Sequence, residues 1–296
     1  MNGVYKVAKI ATVIVENKST KTLTLETRPT RRGGLSATTV DELCCNSSIQ
    51  SRSSAIQNPV PETAIPGQFI MVWLPGIGEK PFSLSGNAPL AITVAGVGEF
   101  SKKLISLKKG DHVHYRGPFG KGFELRGKYS RTFLLVGGGY GAAPLRFLAK
   151  MALAKKAKVT MIVGARNKSL LQKTKVKGAE LLVATDDGSQ GTKGFVTDVM
   201  ANLLKEGRRF DCVYACGPEI MMKKIAETCK KNKIPGQFLL ERIFKCGIGV
   251  CGQCAIDDKL VCFDGPKFER DEVLAFKEFC KCQYDSSGKK ISLRHH

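Results

Sequence analysis

Long apolar segments are absent from this sequence of 296 residues. No run of about 18 apolar residues occurs in it, so no transmembrane helix is expected. The opening stretch MNGVYKVAKIATVIVENKST alternates apolar and polar residues, and lysines interrupt its apolar runs. That pattern predicts a β-strand rather than a signal peptide, which needs an uninterrupted apolar segment. The protein is therefore expected to be cytoplasmic and to make no membrane contact.

Clustered basic residues are also absent, although the chain is strongly basic. It has 47 Lys and Arg against 26 Asp and Glu, a formal net charge of +21. The basic residues are spread along the chain, and aromatic residues, 7% of the total, are rarely interleaved with them. This distribution argues against nucleic-acid binding. It favours a solvated basic surface that also suits phosphate-bearing ligands.

Long helical periodicity is missing from residues 1–128. Short alternating segments separated by turn residues predict an antiparallel β-barrel there, with one short helix candidate at FSKKLISLKKG. Residues 29–62 are rich in Ser, Thr, Asn, Gly and Pro, which predicts a mobile insertion between strands. No function is assigned to the adjacent Cys44 and Cys45 inside it.

The pattern changes at residue 129 to strands alternating with helices. This alternation predicts a doubly wound parallel sheet over residues 129–238, typical of nucleotide-binding domains. A cysteine-rich module is expected at 239–270, followed by a basic C-terminal tail at 271–296. The tail contains Cys280 and Cys282, and two thiols do not make a complete site.

The chain has 11 cysteines, which in a cytoplasmic protein indicate metal binding or redox chemistry. Cys246, Cys251, Cys254 and Cys262 follow the spacing C-x4-C-x2-C-x7-C. Plant-type [2Fe–2S] sites use C-x4-C-x2-C with a fourth, more distant cysteine. Zinc sites with four thiolates prefer two separated C-x2-C pairs, and only one occurs here. The spacing favours a [2Fe–2S] cluster, with zinc as the alternative.

A glycine-rich turn follows the first strand of the predicted parallel sheet, in LLVGGGYGAAPL at 134–145. Glycines there would allow close approach of a pyrophosphate to the backbone, and the following helix N-terminus favours its negative charge. The acidic residue that usually follows the next strand is absent, and Arg166 and Lys168 occupy that region. The choice between NAD and NADP is therefore open.

Two stretches of the predicted barrel carry small and polar residues: EKPFSLSG at 79–86, at the end of a predicted strand, and GVGEFSKKL at 96–104. Ser83 could donate to a flavin ring nitrogen. Gly98 and Ser101 could hold a diphosphate at the start of a short helix. By composition alone, neither stretch is distinguishable from an ordinary turn.

The order of these motifs resembles the ferredoxin–NADP reductase superfamily. The series runs [RK]-P-x-S, G-x-x-S, G-P-x-G, V-G-G-G-x-G-x-A-P and C-G-P, and ends in C-G-x-G-x-C-G-x-C. Within that superfamily, the cysteine motif resembles the electron-transfer subunits of heteromeric dihydroorotate dehydrogenases most specifically. The stretches TDDGSQGTKGFVTD and CGPEIMMK add to this resemblance. These are iron–sulfur flavoproteins of pyrimidine biosynthesis. The likeness covers nearly the whole chain except 29–62 and the residues after about 270.

The resemblance implies that FAD binds the barrel, NAD binds the α/β domain and a [2Fe–2S] cluster binds the C-terminal module. Lys80 replaces the arginine more usual at its position, which weakens any bidentate contact. The implied cluster ligands are the four cysteines of the C-x4-C-x2-C-x7-C motif. The implied cofactor-binding residues, from the flavin to the nicotinamide nucleotide, are Lys80, Pro81, Phe82, Ser83, Gly98, Ser101, Gly137, Gly138, Gly139, Gly141, Pro144, Asp187, Cys216, Gly217 and Pro218.

By this resemblance the chain is an oxidoreductase subunit with no acid–base catalytic residue of its own. An FMN-containing catalytic subunit would oxidise dihydroorotate, and electrons would pass through the cluster and FAD to NAD. The expected assembly is a heterotetramer with two copies of each chain. One alternative is a reductase subunit of a sulfur-reducing, hydrogenase or ferredoxin-linked NAD(P)H complex. An alternative of another class is a zinc-bearing regulatory or nucleic-acid-binding module.

Overall fold

A computed structural model describes residues 5–27, 64–126 and 131–293 of the chain. The predicted insertion at 29–62, with Cys44 and Cys45, lies outside the described residues. Within these ranges no helix is long and apolar enough to cross a membrane.

The first part of the chain forms a closed antiparallel barrel, as its alternating segments predict. Apolar side chains that point inward along each strand fill the barrel, among them Ile10, Leu23 and Ile92, each 0% exposed. The strands are joined in the order β1-β2-β5-β4-β3-β6. Their bounds, with those of the one helix, are β1 Lys6–Asn17, β2 Thr20–Thr27, β3 Phe69–Leu74, β4 Gly78–Asn87, β5 Leu90–Ala95, α1 Glu99–Ser106 and β6 His112–Phe119.

Strand β4 is longer than the sequence predicts, since EKPFSLSG was expected to be only the end of a strand. The structure makes it a ten-residue strand that pairs with both β3 and β5. Period-two alternation is missing from it, because residues 79–83 are all partly or fully exposed and Leu84 is the first buried residue. A strand whose outer face lines a ligand cleft carries no alternating apolar signal.

The second part is a doubly wound parallel sheet, as predicted. The buried positions of its central strands are mostly apolar, because helices cover both faces of the sheet. The strand order is β10-β9-β8-β7-β11-β12. The elements are β7 Thr132–Gly138, α2 Ala142–Ala154, β8 Lys158–Ala165, β9 Glu180–Thr185, β10 Thr192–Lys193, α3 Val196–Lys205, β11 Cys212–Cys216, α4 Glu219–Lys231 and β12 Gly236–Leu239.

The C-terminal segment is joined to this sheet rather than separate from it. Its elements are β13 Ala255–Ile256, β14 Lys259–Leu260, β15 Lys267–Glu269, α5 Arg270–Ala275, β16 Cys282–Tyr284 and β17 Lys290–Ser292. Strand β15 pairs antiparallel with β12 and becomes the edge of the sheet. The cysteine loop therefore begins and ends at one sheet edge.

Residues 271–293 are folded, whereas the sequence analysis expects a basic tail. A short helix and a two-stranded hairpin form there, and Val273, Phe279 and Cys280 are buried. These elements are too short to show a periodic apolar pattern, so composition alone suggested a tail.

A buried ion pair joins the barrel to helix α2. Arg146 donates from Nη2 to Oε1 of Glu16 (2.9 Å) and from Nη1 to Oε2 (3.1 Å). The Glu16 side chain is 1% exposed and that of Arg146 is 14% exposed. Phe147, the next residue of α2, packs in the barrel core. These contacts set where the glycine turn before α2 lies relative to the barrel.

Candidate cofactor cleft and cysteine loop

A cleft of about 720 Å³ lies where the barrel, the carboxyl ends of the parallel strands and the start of the cysteine loop meet. Ligands of open α/β sheets bind at this edge. The cleft brings together residues that the sequence analysis assigned separately to the flavin and to the nicotinamide nucleotide. Those that line it are Lys80, Pro81, Phe82, Ser83, Gly98, Ser101, Gly141, Pro144 and Cys216.

The barrel wall of the cleft comes from β4 and from the N-terminal turn of α1. Phe82 stacks on Phe100 with ring centroids 6.1 Å apart. The Ser101 hydroxyl accepts from the N–H of Gly98 (3.0 Å), which caps the helix. Two apolar aromatic rings beside a helix N-terminus suit a cofactor that has a planar aromatic ring system and a phosphate group.

The opposite wall is built from two turns that pack tightly on each other. A Cβ on Gly141 would lie 2.4 Å from the carbonyl oxygen of Cys216, and one on Gly138 would lie 2.9 Å from Cδ of Pro218. The two turns follow adjacent parallel strands, since Cys216 pairs with Gly137 in the sheet. The glycines therefore let the V-G-G-G turn close against the C-G-P turn.

Six predicted nucleotide residues do not line this cleft: Gly137, Gly138, Gly139, Asp187, Gly217 and Pro218. Asp187 lies in the turn after β9 and accepts from both the N–H (2.9 Å) and the hydroxyl (2.6 Å) of Ser189. These hydrogen bonds lower the pKa of Asp187. It is therefore an exposed, ionised turn residue outside the cleft.

Cys216 lies on the cleft wall as a buried thiol. Burial, with a smaller effect of Glu241, raises its pKa well above the ordinary value. Burial therefore favours the neutral thiol at this position.

The third wall of the cleft is the segment just before the first cysteine, ERIF at 241–244, whose residues are not among those predicted from the sequence. Glu241 is exposed to the cleft, and desolvation by the protein atoms around its carboxyl group raises its pKa despite an interaction with the Tyr140 hydroxyl. Tyr140 also lines the cleft, and the charge of Glu241 raises its pKa to about 12. The only sequence signal was adjacency to the cysteine motif.

The cysteine loop directs backbone N–H groups at its own sulfurs. The N–H groups of Val250 (3.3 Å) and Cys251 (3.4 Å) donate to Sγ of Cys246. Gly249 donates to Sγ of Cys262 (3.3 Å), and the N–H of Cys262 donates to Sγ of Cys254 (3.4 Å). Backbone donors of this kind stabilise thiolates and the sulfur ligands of iron–sulfur clusters.

The same contacts change the acidity of the thiols. Burial alone would raise the pKa of Cys246, but N–H donors from residues 248, 250 and 251 outweigh it and lower that pKa to about 6. A hydrogen bond with Cys262 lowers the pKa of Cys254 to about 7 and raises that of Cys262. At least two of the sulfurs are therefore favoured as thiolates, the form that binds metal.

The loop packs on the barrel at its base and is exposed at its tip. Phe244 packs against Phe69 of β3, with ring centroids 4.8 Å apart and the rings tilted by 52°, and both residues line the cleft. At the tip, Val250 is 78% exposed and Phe263 is 63% exposed. The cleft and the cysteine loop thus share one aromatic contact, while the tip faces outward.

Comparison with known proteins identifies the family. A family model described as the iron–sulfur cluster binding domain of dihydroorotate dehydrogenase B matches residues 241–274, and an oxidoreductase NAD-binding domain matches 135–227. A Methanocaldococcus jannaschii protein named as the electron transfer subunit of dihydroorotate dehydrogenase B (NAD(+)) is 47% identical over 230 residues, 76% of this chain and 87% of that protein. The chain belongs to the family of dihydroorotate dehydrogenase B electron transfer subunits. A Thermococcus kodakarensis relative with the same name is 46% identical over 71% of this chain and 86% of its own length.

Solved structures share the fold of this chain. The NADH-dependent reduced ferredoxin–NADP oxidoreductase, studied for flavin-based electron bifurcation, is 28% identical with a TM-score of 0.70 and covers 93% of each chain. A ferredoxin reductase of carbazole 1,9a-dioxygenase, at 19% identity and a TM-score of 0.60, covers 79% of this chain and 68% of its own and shares the fold. The predicted superfamily and family are thereby confirmed. The family and the fold support the expected FAD, iron–sulfur cluster and NAD.

The contact between Gly141 and Cys216 yields a test. Gly141 has an ordinary φ of −61° but no room for a side chain, whereas Gly139 has a φ of +55° and open space around it. We expect Gly141→Ala to lower the free energy of unfolding by about 3 kcal/mol, because the backbone of Cys216 cannot move aside. We expect Gly139→Ala to cost only about 1 kcal/mol of backbone strain. Urea denaturation of both variants measures this, and an equal or larger loss for Gly139→Ala would contradict the packing account.

Proposed function

We propose that this chain is the electron transfer subunit of an NAD-linked dihydroorotate dehydrogenase, with FAD and a [2Fe–2S] cluster as its redox centres. When bound, FAD would supply hydride exchange with nicotinamide and single-electron exchange with the cluster, which would carry one electron at a time. The observation that carries the proposal is the placement of the cleft directly beside the cysteine loop, joined through Phe69 and Phe244. A relay needs both sites in one rigid unit.

We propose Cys246, Cys251, Cys254 and Cys262 as the cluster ligands. The residues fit a cluster, because their sulfurs accept several backbone N–H bonds and two of them have lowered pKa values. Among the described residues, no three His, Cys, Asp or Glu side chains are placed to hold a single metal ion. A cluster spreads its four thiolates over two irons rather than gathering them around one.

We propose that the flavin ring lies against the β4 wall, formed by Lys80–Ser83, and that its diphosphate lies at Gly98 and Ser101. The nicotinamide would lie against the opposite wall of the cleft, beside Gly141 and Cys216. The role of these residues is to bind and orient the two rings and to exclude water from the space between them. Buried Cys216 supports this role, since a neutral thiol adds no charge to the transfer path.

The partner implied by the family name is a catalytic subunit, and we propose that it carries FMN and forms a heterotetramer with two copies of each chain. We propose the tip of the cysteine loop as its docking surface. Ile248, Val250 and Phe263 are exposed apolar residues there, and Cys251 beside them is exposed as well. Apolar residues around an exposed redox site are typical of a protein–protein contact.

The ligand assignment is tested by cysteine variants. We expect Cys251→Ser to lose the cluster, lowering iron from about two per chain to near zero, because one of four ligands is removed. Cys282→Ser is the matched control: it lies in the same C-terminal region, outside the proposed ligand set, and it should keep its iron. Iron and sulfide assays with electron paramagnetic resonance measure both. Iron lost from Cys282→Ser but kept in Cys251→Ser would overturn the assignment.

The docking surface is tested by reconstitution with the FMN-containing catalytic subunit. We expect Val250→Asp to raise the concentration of this chain needed for dihydroorotate-dependent NAD reduction at least about tenfold, with the same maximal rate at saturation. Val15→Asp, on the outer face of β1 and 52% exposed, is the control and should behave as wild type.

Two outcomes would count against the proposal. Equal effects of Val250→Asp and Val15→Asp would place the interface elsewhere. No dihydroorotate-dependent activity, with activity from reduced ferredoxin instead, would favour the ferredoxin-linked alternative. The full-length likeness to a reduced ferredoxin–NADP oxidoreductase is the observation behind that alternative.

A further inference from the structure

Arg242 is a buried guanidinium between the cleft and the cysteine loop. Its side chain is 1% exposed, and the residue lines the cleft four positions before Cys246. Nη1 donates to the carboxylate of Glu219 and to the carbonyl oxygen of Glu241 (2.8 Å). Nε and Nη2 have no hydrogen-bond partner among the described residues.

A buried arginine with only part of its hydrogen-bond donors paired lowers the stability of the folded protein. Taking a charged guanidinium out of water is offset only when its donors are paired, and here two buried nitrogens lack an acceptor. Arginine does not lose its proton in proteins, so the positive charge persists. An electron-rich group that binds in the cleft would supply the missing acceptor.

The surroundings of Arg242 include both proposed redox sites. Besides its partner Glu219, the titratable groups near enough for their charge to act on Arg242 are Cys282, Glu278, Cys280 and the proposed ligand Cys254. Glu219 also accepts from the N–H of Cys280 (2.7 Å), which fixes the ion pair to the C-terminal segment. The charge of Arg242 is thus held in place by α4 and the folded C-terminal segment, next to the cluster loop and the cleft.

A fixed positive charge favours the state of a nearby redox centre that has one more electron. We propose that Arg242 sets the reduction potentials of the relay, its guanidinium stabilising the reduced flavin in the cleft and the reduced cluster in the loop, with Glu219 moderating that charge. The inference rests on the proposed function, because it needs both centres to be present.

The test is spectroelectrochemical titration of purified protein loaded with flavin and iron. In Arg242→Gln, we expect the equilibrium constant for one-electron reduction of the cluster to fall at least about tenfold, a potential lower by about 59 mV. The flavin potential should fall as well. Glu219→Gln removes the opposing charge and keeps a hydrogen-bonding side chain, so the potentials should rise. Opposite shifts distinguish a charge effect from a packing defect.

The matched control is Arg208→Gln, which also removes one positive charge. Arg208 pairs with Glu180 at the amino end of β9, whereas the cleft lies at the carboxyl ends of the parallel strands. The flavin and cluster potentials of the Arg208→Gln variant should match those of the wild-type protein. Arg242→Lys keeps the charge and should keep the wild-type potentials.

The proposal is overturned if Arg242→Gln and Glu219→Gln shift the potentials in the same direction, or if neither shifts them. If Arg242→Gln does not retain its cofactors, Glu219→Gln decides: a raised potential supports the proposal and an unchanged or lowered one contradicts it. Wild-type protein without flavin or iron would instead refute the proposed function. The two failures are therefore distinguishable.

Discussion

The antiparallel pairing of Lys267–Glu269 with Gly236–Leu239 is the interaction on which the rest of the site depends. It closes the base of the cysteine loop, because the loop leaves the sheet after Leu239 and returns to the neighbouring strand. Next to that pair, the N–H of Leu240 donates to the carbonyl oxygen of Pro266 (2.9 Å). The N–H of Lys121, just after the last barrel strand, donates to the carbonyl oxygen of Gly265 (2.6 Å). A loop with little regular structure is thereby held rigidly beside the cleft.

Rigidity at this junction matters because electron transfer has few chemical requirements besides position. On the wall of the cleft, burial favours the neutral thiol of Cys216. The contribution of the chain is geometric: Glu16 and Arg146 set the barrel against α2, and the glycine turn closes on the C-G-P turn. Phe69 and Phe244 then join the cleft to the loop.

The sequence predicted those parts of the molecule whose physical signal is local. Alternating strands, the strand–helix alternation and the cysteine spacing each depend on neighbouring residues, and the barrel, the sheet and the family were recovered from them. Strand β4 lacked the apolar alternation because it faces a cleft. The roles of Glu241 and Arg242 depend on partners such as Tyr140 and Glu219, which are distant in sequence. No local pattern reports contacts of that kind.

The most direct test of the account is an anaerobic titration of the purified protein with NADH, followed by flavin absorbance and by electron paramagnetic resonance. The account predicts that NADH bleaches the flavin and also produces the signal of a reduced [2Fe–2S] cluster, with about three electrons taken up per chain, two by FAD and one by the cluster. A bleached flavin with no cluster signal at excess NADH would contradict the account, because the cleft and the cysteine loop would not be joined in one relay.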